Sequence, residues 1–199
     1  FLLTGLQLIP TAGRSISTGL ILPDGSTAGG AYDPAFLQIG RSSLFEVVPI
    51  PVIIMLVVAV VLYVLTEHTR IGRLLFATGG NEVAARLAGA SVQRLKTQAY
   101  VLSGTLAGLT GCVLASRLVT AQPSEGLMYE LDAIAAAVIG GTSLSGGVGT
   151  ISGTVIGAFV IGILRNGLNM GGVSAFTQQI VIGMVILLTV WIDQMRHRR

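Results

Sequence analysis

Four stretches of this chain hold no charged residue: residues 47–66, 97–116, 133–164 and 166–192. The hydrocarbon core of a bilayer is about 30 Å thick and a helix rises about 1.5 Å per residue, so roughly 20 apolar residues cross it. The runs PIPVIIMLVVAVVLYVLT and TQAYVLSGTLAGLTGCVLAS each have the length of one crossing. Charged residues make up only 11% of the chain and its mean hydropathy is +0.80, whereas a soluble domain carries about 25% charged residues. The solvent for most of this sequence is therefore lipid. The predicted fold class is all-α, a single transmembrane domain over residues 1–199 built as a polytopic helical bundle.

The third run, AIAAAVIGGTSLSGGVGTISGTVIGAFVIGIL, is too long for one straight helix and too short for two full spans. Gly140, Gly141, Gly146, Gly147 and Gly149 lie in its middle, and each disfavours helix by about 1 kcal/mol relative to Ala. The prediction is a glycine-broken helix pair. In the fourth run, NGLNMGGVSAF reads as loop and QQIVIGMVILLTVWI as a span ending at Trp191, an indole placed where indoles favour the interface. Reading charges as helix ends leaves no ionisable group inside a span.

Basic residues set the orientation. Residues 67–96 contain Arg70, Arg73, Arg86, Arg94 and Lys96, and the tail 193–199 contains Arg196, Arg198 and Arg199, eight of the twelve Lys and Arg. The positive-inside rule places both in the cytoplasm. With Arg117 outside and Arg199 inside, an odd number of crossings lies between them, which the broken pair and the last span supply. Residues 14–46 then form an external loop, rich in Gly, Ser and Pro with PDG and DP as turn signals. Its length suits a cover for a pore mouth, a contact for an external partner, or a plain surface loop. The chain opens at Phe1 with FLLTGLQLIP, without a basic n-region, so it reads as the tail of a severed helix rather than a secretory signal.

Other function classes find little support. A net charge of +3 without a basic stripe among aromatics, which are 6% of the chain, does not describe a nucleic-acid binder. The one cysteine, Cys112, lies in an apolar run and permits no intrachain disulfide. His68 and His197 belong to no HExxH motif, metal-spaced cluster or nucleophile motif, so neither a metal site nor an enzyme is expected.

Between Gly79 and Val92 the sequence GGNEVAARLAGASV predicts a short helix. Asn81 suits its N-cap, Glu82 the positive end of its dipole, and Gly89 a left-handed C-terminal residue. A helix so short is marginal in water, so something must hold it. Small residues at Ala84, Ala85 and Ala88 would suit a groove on another protein, though residue chemistry alone favours a capped loop lying on the bilayer. The Gly104 and Gly108 pair, and the Gly149, Gly153 and Gly157 series, allow close helix approach and predict ordinary packing within the bundle.

GGTSLSGGVGTISG invites a phosphate-loop reading, but Gly146 is followed by Gly147 and Val148 where the Walker pattern needs Lys. Broken helix ends lining a polar cavity account for it better. Thr142, Ser143 and Ser145 are placed to satisfy the freed backbone groups. Glu130 and Asp132, after Tyr129, stand at the mouth of the broken element, either to meet a solute or an external partner or as a solvated helix N-terminus.

The segments ATGGNEVAARLAGASVQRLK, AQP, YELDAIAA, GGTSLSGGVG and NGLN closely resemble the permease subunit of ribose-type ABC sugar importers, in the branched-chain amino acid and monosaccharide permease superfamily. The likeness runs from about Thr66 to Ile192 and weakens before Glu46. It implies that residues 81–89 form a cytoplasmic coupling helix, with Asn81, Glu82, Ala84, Ala85, Leu87 and Gly89 meeting the ATPase. It further implies two permease subunits, same or different, two cytoplasmic ATPase domains and a periplasmic sugar-binding protein. ATP is then hydrolysed on the partner, and this chain binds no cofactor. The solute implied is a monosaccharide, with an autoinducer sugar or a branched-chain amino acid as alternatives, and the membrane is the bacterial inner membrane. With the broken helix ends read as lining a polar cavity, Tyr129, Glu130, Asp132, Gly140, Gly141, Thr142, Ser143, Gly146, Gly147, Asn166 and Asn169 are candidates for the translocation path. Further spans would precede Phe1, and the 199 residues alone are not expected to catalyse uptake. An ion-coupled secondary transporter is the reading from another class, and it would need an ionisable group within a span.

Overall fold

The uncharged runs are largely helical, because a backbone in lipid must hydrogen-bond to itself. The computed structural model describes residues 16–17, 34–44, 48–121, 126 and 129–197. Its helices are α1 (Pro34–Arg41), α2 (Ile50–His68), α3 (Arg70–Gly80), α4 (Glu82–Leu87), α5 (Val92–Leu118), α6 (Tyr129–Ile139), α7 (Ile151–Met170) and α8 (Ala175–His197). Strands are two residues long: β1 (Ile16–Ser17) pairs antiparallel with β4 (Thr120–Ala121), and β2 (Ser43–Leu44) with β3 (Val48–Pro49). Among the described residues three helices, α2, α5 and α7, are long and apolar enough to cross a membrane. None of the 19 residues of α2 is buried among the described residues. Most of the external loop predicted for 14–46, the AQP segment and the last two arginines lie outside the described residues.

The chain divides into two compact units, one taking residues up to Val57 with Tyr100–Leu127 and the other Val58–Ala99 with Met128–Arg199. In the first, α1 is a helix where the sequence suggested only loop. Pro34 opens it, a place where the missing N–H is no loss and the ring's φ already fits. Ser116, fully buried, holds it to the end of α5. Its hydroxyl donates to Phe36 O at 2.6 Å and accepts from Gly40 N at 2.8 Å. A side chain at Gly40 would collide with the backbone of Ser116 and Arg117.

The second unit takes the end of α2 and the start of α5, with α3, α4, α6, α7 and α8. Thr69 turns the corner from α2 to α3, donating to Leu65 O at 2.6 Å and accepting from Gly72 N at 3.2 Å. Helices α6 and α7 form an antiparallel hairpin through small residues. A Cβ on Gly140 would meet the backbone of Gly153 and Thr154, and one on Gly157 the backbone of Ala136. Ala135, Ile161 and Ile182 form the buried cluster that α8 completes, with Ile139 and Ile186 against it. Packing within the bundle therefore holds for Gly153 and Gly157. Beside Gly104 and Gly108 a Cβ would meet nothing within 4 Å among the described residues.

Two sequence expectations change. NGLNM is helical, and α7 ends only at Gly171, with Gly172 at φ +70°. Propensity disfavours these residues, but leaving their backbone groups unpaired near lipid would cost more. As a result Arg165, expected to mark a helix end, lies inside α7. The second change concerns the glycine break: α7 alone has 20 residues, about 30 Å, so the break sits at one end of a full span rather than midway along a crossing. Helix α6, with 11 residues, reaches only about 16 Å.

Candidate coupling and translocation elements

Asn81 links two helices. Its backbone N–H donates to Ala77 O at 3.0 Å, closing α3, and its side-chain Oδ1 accepts from Ala84 N at 3.0 Å, opening α4. At the other end Gly89 turns left-handed at φ +86°, while Ala88, Gly89 and Ala90 donate to the last carbonyls of α4. The predicted cap residues therefore act as caps. Glu82 ties α4 to the start of α5 by accepting from Lys96 Nζ at 2.6 Å and from Arg86 Nη2 at 2.8 Å. The Lys96 hydrogen bond holds the Glu82 carboxyl below its usual range against desolvation, helped by the Lys96 charge and by the hydrogen bond and charge of Arg86.

The outward face of α4 differs from the alanine face expected. Ala85 is 7% exposed and turned into the chain, as Val92 and Leu95 also are. A six-residue helix lying on its own protein must bury one side, and the smallest side chain allows the closest approach. Ala84 and Ala88 are exposed, and so are two larger residues, Val83 at 68% and Leu87 at 86%. Val83 escaped notice in the sequence, where an apolar residue at helical spacing from Leu87 reads as core.

In the α6–α7 hairpin, Asp132 accepts from Arg165 Nη2 through both carboxylate oxygens, at 2.9 and 2.7 Å. The pair is partly buried, and Arg165 Nε has no partner among the described residues. In sequence a lone charge marks a span boundary; paired with a carboxylate, Arg165 is tolerated within one. Tyr129 and Glu130 are exposed at the same end.

The glycine break satisfies its own backbone. Ser143 N donates to Val148 O at 3.0 Å, Gly146 N to Ser143 O at 3.1 Å, and the buried Ser143 hydroxyl accepts from Ser145 N at 3.3 Å. Thr142 N donates to Ala137 O, and its side chain lies against Gly149. Gly141, Gly146 and Gly147 have φ of +88°, +87° and +78°, values that other residues adopt only under strain.

The translocation candidates fall into two groups. Gly140, Gly141, Thr142, Ser143, Gly146 and Gly147 gather at the break, beside the start of α7. Asn166 and Asn169 are exposed near its far end, with Asp132, Glu130 and Tyr129. Arg165 is 14 residues beyond Ile151, about 21 Å along the helix, so the structure does not assemble one site from all of them. Among the described residues no group of His, Cys, Asp and Glu could hold a metal ion.

Residues 4–190 match the protein family described as branched-chain amino acid transport system / permease component. The ribose import permease protein of Bacillus subtilis is 49% identical over 190 residues, covering 96% of this chain and 55% of that protein. Its Escherichia coli counterpart is 45% identical over 196 residues, covering 98% and 58%. The xylose transport system permease protein of Escherichia coli is 45% identical over 152 residues, covering 76% and 39%. The chain thus spans little more than half the length of the ribose permeases it matches. No solved structure matches it.

Proposed function

Because this chain belongs to the family of branched-chain amino acid transport system permease components, we propose that it forms part of the membrane-spanning subunit of an ATP-driven importer whose solute is a monosaccharide. The observation that carries this reading is the 45–49% identity, over nearly the whole chain, to proteins named as ribose import permeases. The xylose permease extends the likeness to a second pentose transporter by name. ATP is hydrolysed on a cytoplasmic partner, a binding protein delivers the sugar from the periplasm, and a second permease subunit completes the pore in the bacterial inner membrane. The exposed face of α4, with Val83 and Leu87 held between two capped ends, is where the ATPase docks.

Arg165 reopens the ion-coupled alternative, since an ionisable group does lie in a span. Its partner Asp132 neutralises it, which favours a structural or solute-orienting role over carriage of a proton. The test is uptake in vesicles holding the complete permease, its ATPase and its binding protein. Labelled ribose or xylose should accumulate only with ATP. Leucine uptake under the same conditions, or pentose uptake driven by a proton gradient without ATP, would overturn the reading.

A further inference from the structure

The end of α3 and the glycine break meet backbone to backbone. A Cβ on Gly79 would lie 2.8 Å from Gly147 N, one on Gly146 would lie 2.5 Å from Gly79 O, and one on Gly147 would lie 2.9 Å from Gly80 Cα. Each is closer than a carbon atom tolerates, and each neighbour is main chain, which cannot rotate aside. No side chain stands between the two segments at this point. On one side of the junction, Asn81 fastens α4 to α3 through its bonds to Ala77 O and Ala84 N. On the other, the 143–148 turn is closed by its own hydrogen bonds, and Gly140 rests on the Gly153 backbone at the base of the α6–α7 hairpin.

From this contact we infer that Gly79, Gly146 and Gly147 are positioning residues that transmit movement of α4 to the base of the α6–α7 hairpin. The inference rests on α4 being the element that docks the ATPase. Long side chains at a contact absorb small displacements by changing rotamer. Packed backbone cannot, so a shift of even a few tenths of an ångström at the end of α3 must be passed on. Gly146 and Gly147 are required twice over, by their left-handed φ and by the space Gly79 and Gly80 occupy. Gly79, by contrast, is inside α3 and is required only by proximity.

That difference supplies a matched pair of substitutions. Gly79→Ala and Gly80→Ala each place a methyl group in the last turn of the same helix and each favour helix by a similar amount. Only the first collides, since the nearest atom to a Cβ on Gly80 is 3.7 Å away. In the complete importer, Gly79→Ala should retain the ATPase on co-purification and still hydrolyse ATP, while sugar uptake per folded permease falls at least tenfold. Gly80→Ala should transport within twofold of the unsubstituted protein. Equal uptake by the two variants, or a loss in Gly79→Ala matched by loss of the ATPase, would overturn the inference.

A second measurement needs no substitution and decides the matter if Gly79→Ala does not fold. Amide exchange in residues 143–149 should change together with that in residues 76–89 when the ATPase passes from nucleotide-free to ATP-trapped. An unchanged 143–149 segment, with the ATPase still bound, sinks this inference alone. Failure of the unsubstituted permease to retain the ATPase sinks the functional reading as well.

Discussion

Arg165 is the residue whose environment departs furthest from its type. A guanidinium inside a span is costly and persists where a carboxylate meets it, as Asp132 does here at 2.7 and 2.9 Å. Removing one partner from a fully buried pair costs about 3–5 kcal/mol, most of it the burden of the charge left behind. With side-chain exposures of 37% and 21%, water relieves part of that burden, and about 2 kcal/mol is the expected loss for Arg165→Met, still within the range of single substitutions. The double change Arg165→Met with Asp132→Leu should recover most of it, because an apolar pair of similar volume leaves nothing unpaired. Thermal unfolding in detergent measures both, the single change lowering Tm by roughly 5 °C at about 2–4 °C per kcal/mol. A double variant less stable than the single would show that the pair contributes more than mutual neutralisation.

At the scale of elements, α4 tests the docking surface. Leu87→Asp puts a carboxylate on its most exposed apolar position. In a free, water-facing helix such a change costs less than about 0.5 kcal/mol, whereas a charge buried unpaired at an interface costs several. Since about 1.4 kcal/mol is a tenfold change in affinity, ATPase retention should fall more than a hundredfold while permease levels in the membrane stay constant. Full retention would remove α4 from the interface. Ala85→Glu, by contrast, should lower permease levels themselves, because Ala85 is buried in its own chain. The caps of α4, the spans α2 and α5, and the break at 140–150 were legible because capping and hydrophobic length are local properties. Helices α1 and α3 were not. Their apolar residues mix with glycines and arginines, and what makes them helical is contact with distant residues, Ser116 for α1 and the break for α3. The same reason hid the burial of Ala85 and the place of Arg165 inside α7.

For the molecule as a whole, packing adds to the charge pattern a constraint on which faces share a side of the membrane. Residues 67–96 hold five of the basic residues, and the positive-inside rule assigns them to the cytoplasm. Gly146 and Gly147 abut Gly79 and Gly80 within that segment's own unit, so the break must share its side. Helix α7 then leaves the break and runs 20 residues to Met170, about 30 Å, the full thickness of the hydrocarbon. Met170 must therefore emerge on the opposite side. Cysteines placed one at a time at Gln93, Ser145 and Met170, all exposed, read this arrangement once the native Cys112, itself exposed, is replaced by Ala. In intact cells an impermeant thiol reagent should label Met170→Cys and miss the other two, whereas in inverted vesicles it should label Gln93→Cys and Ser145→Cys. External labelling of Ser145→Cys with Gln93→Cys protected would separate the break from the basic segment, and the contact between α3 and the hairpin could not then exist in the membrane.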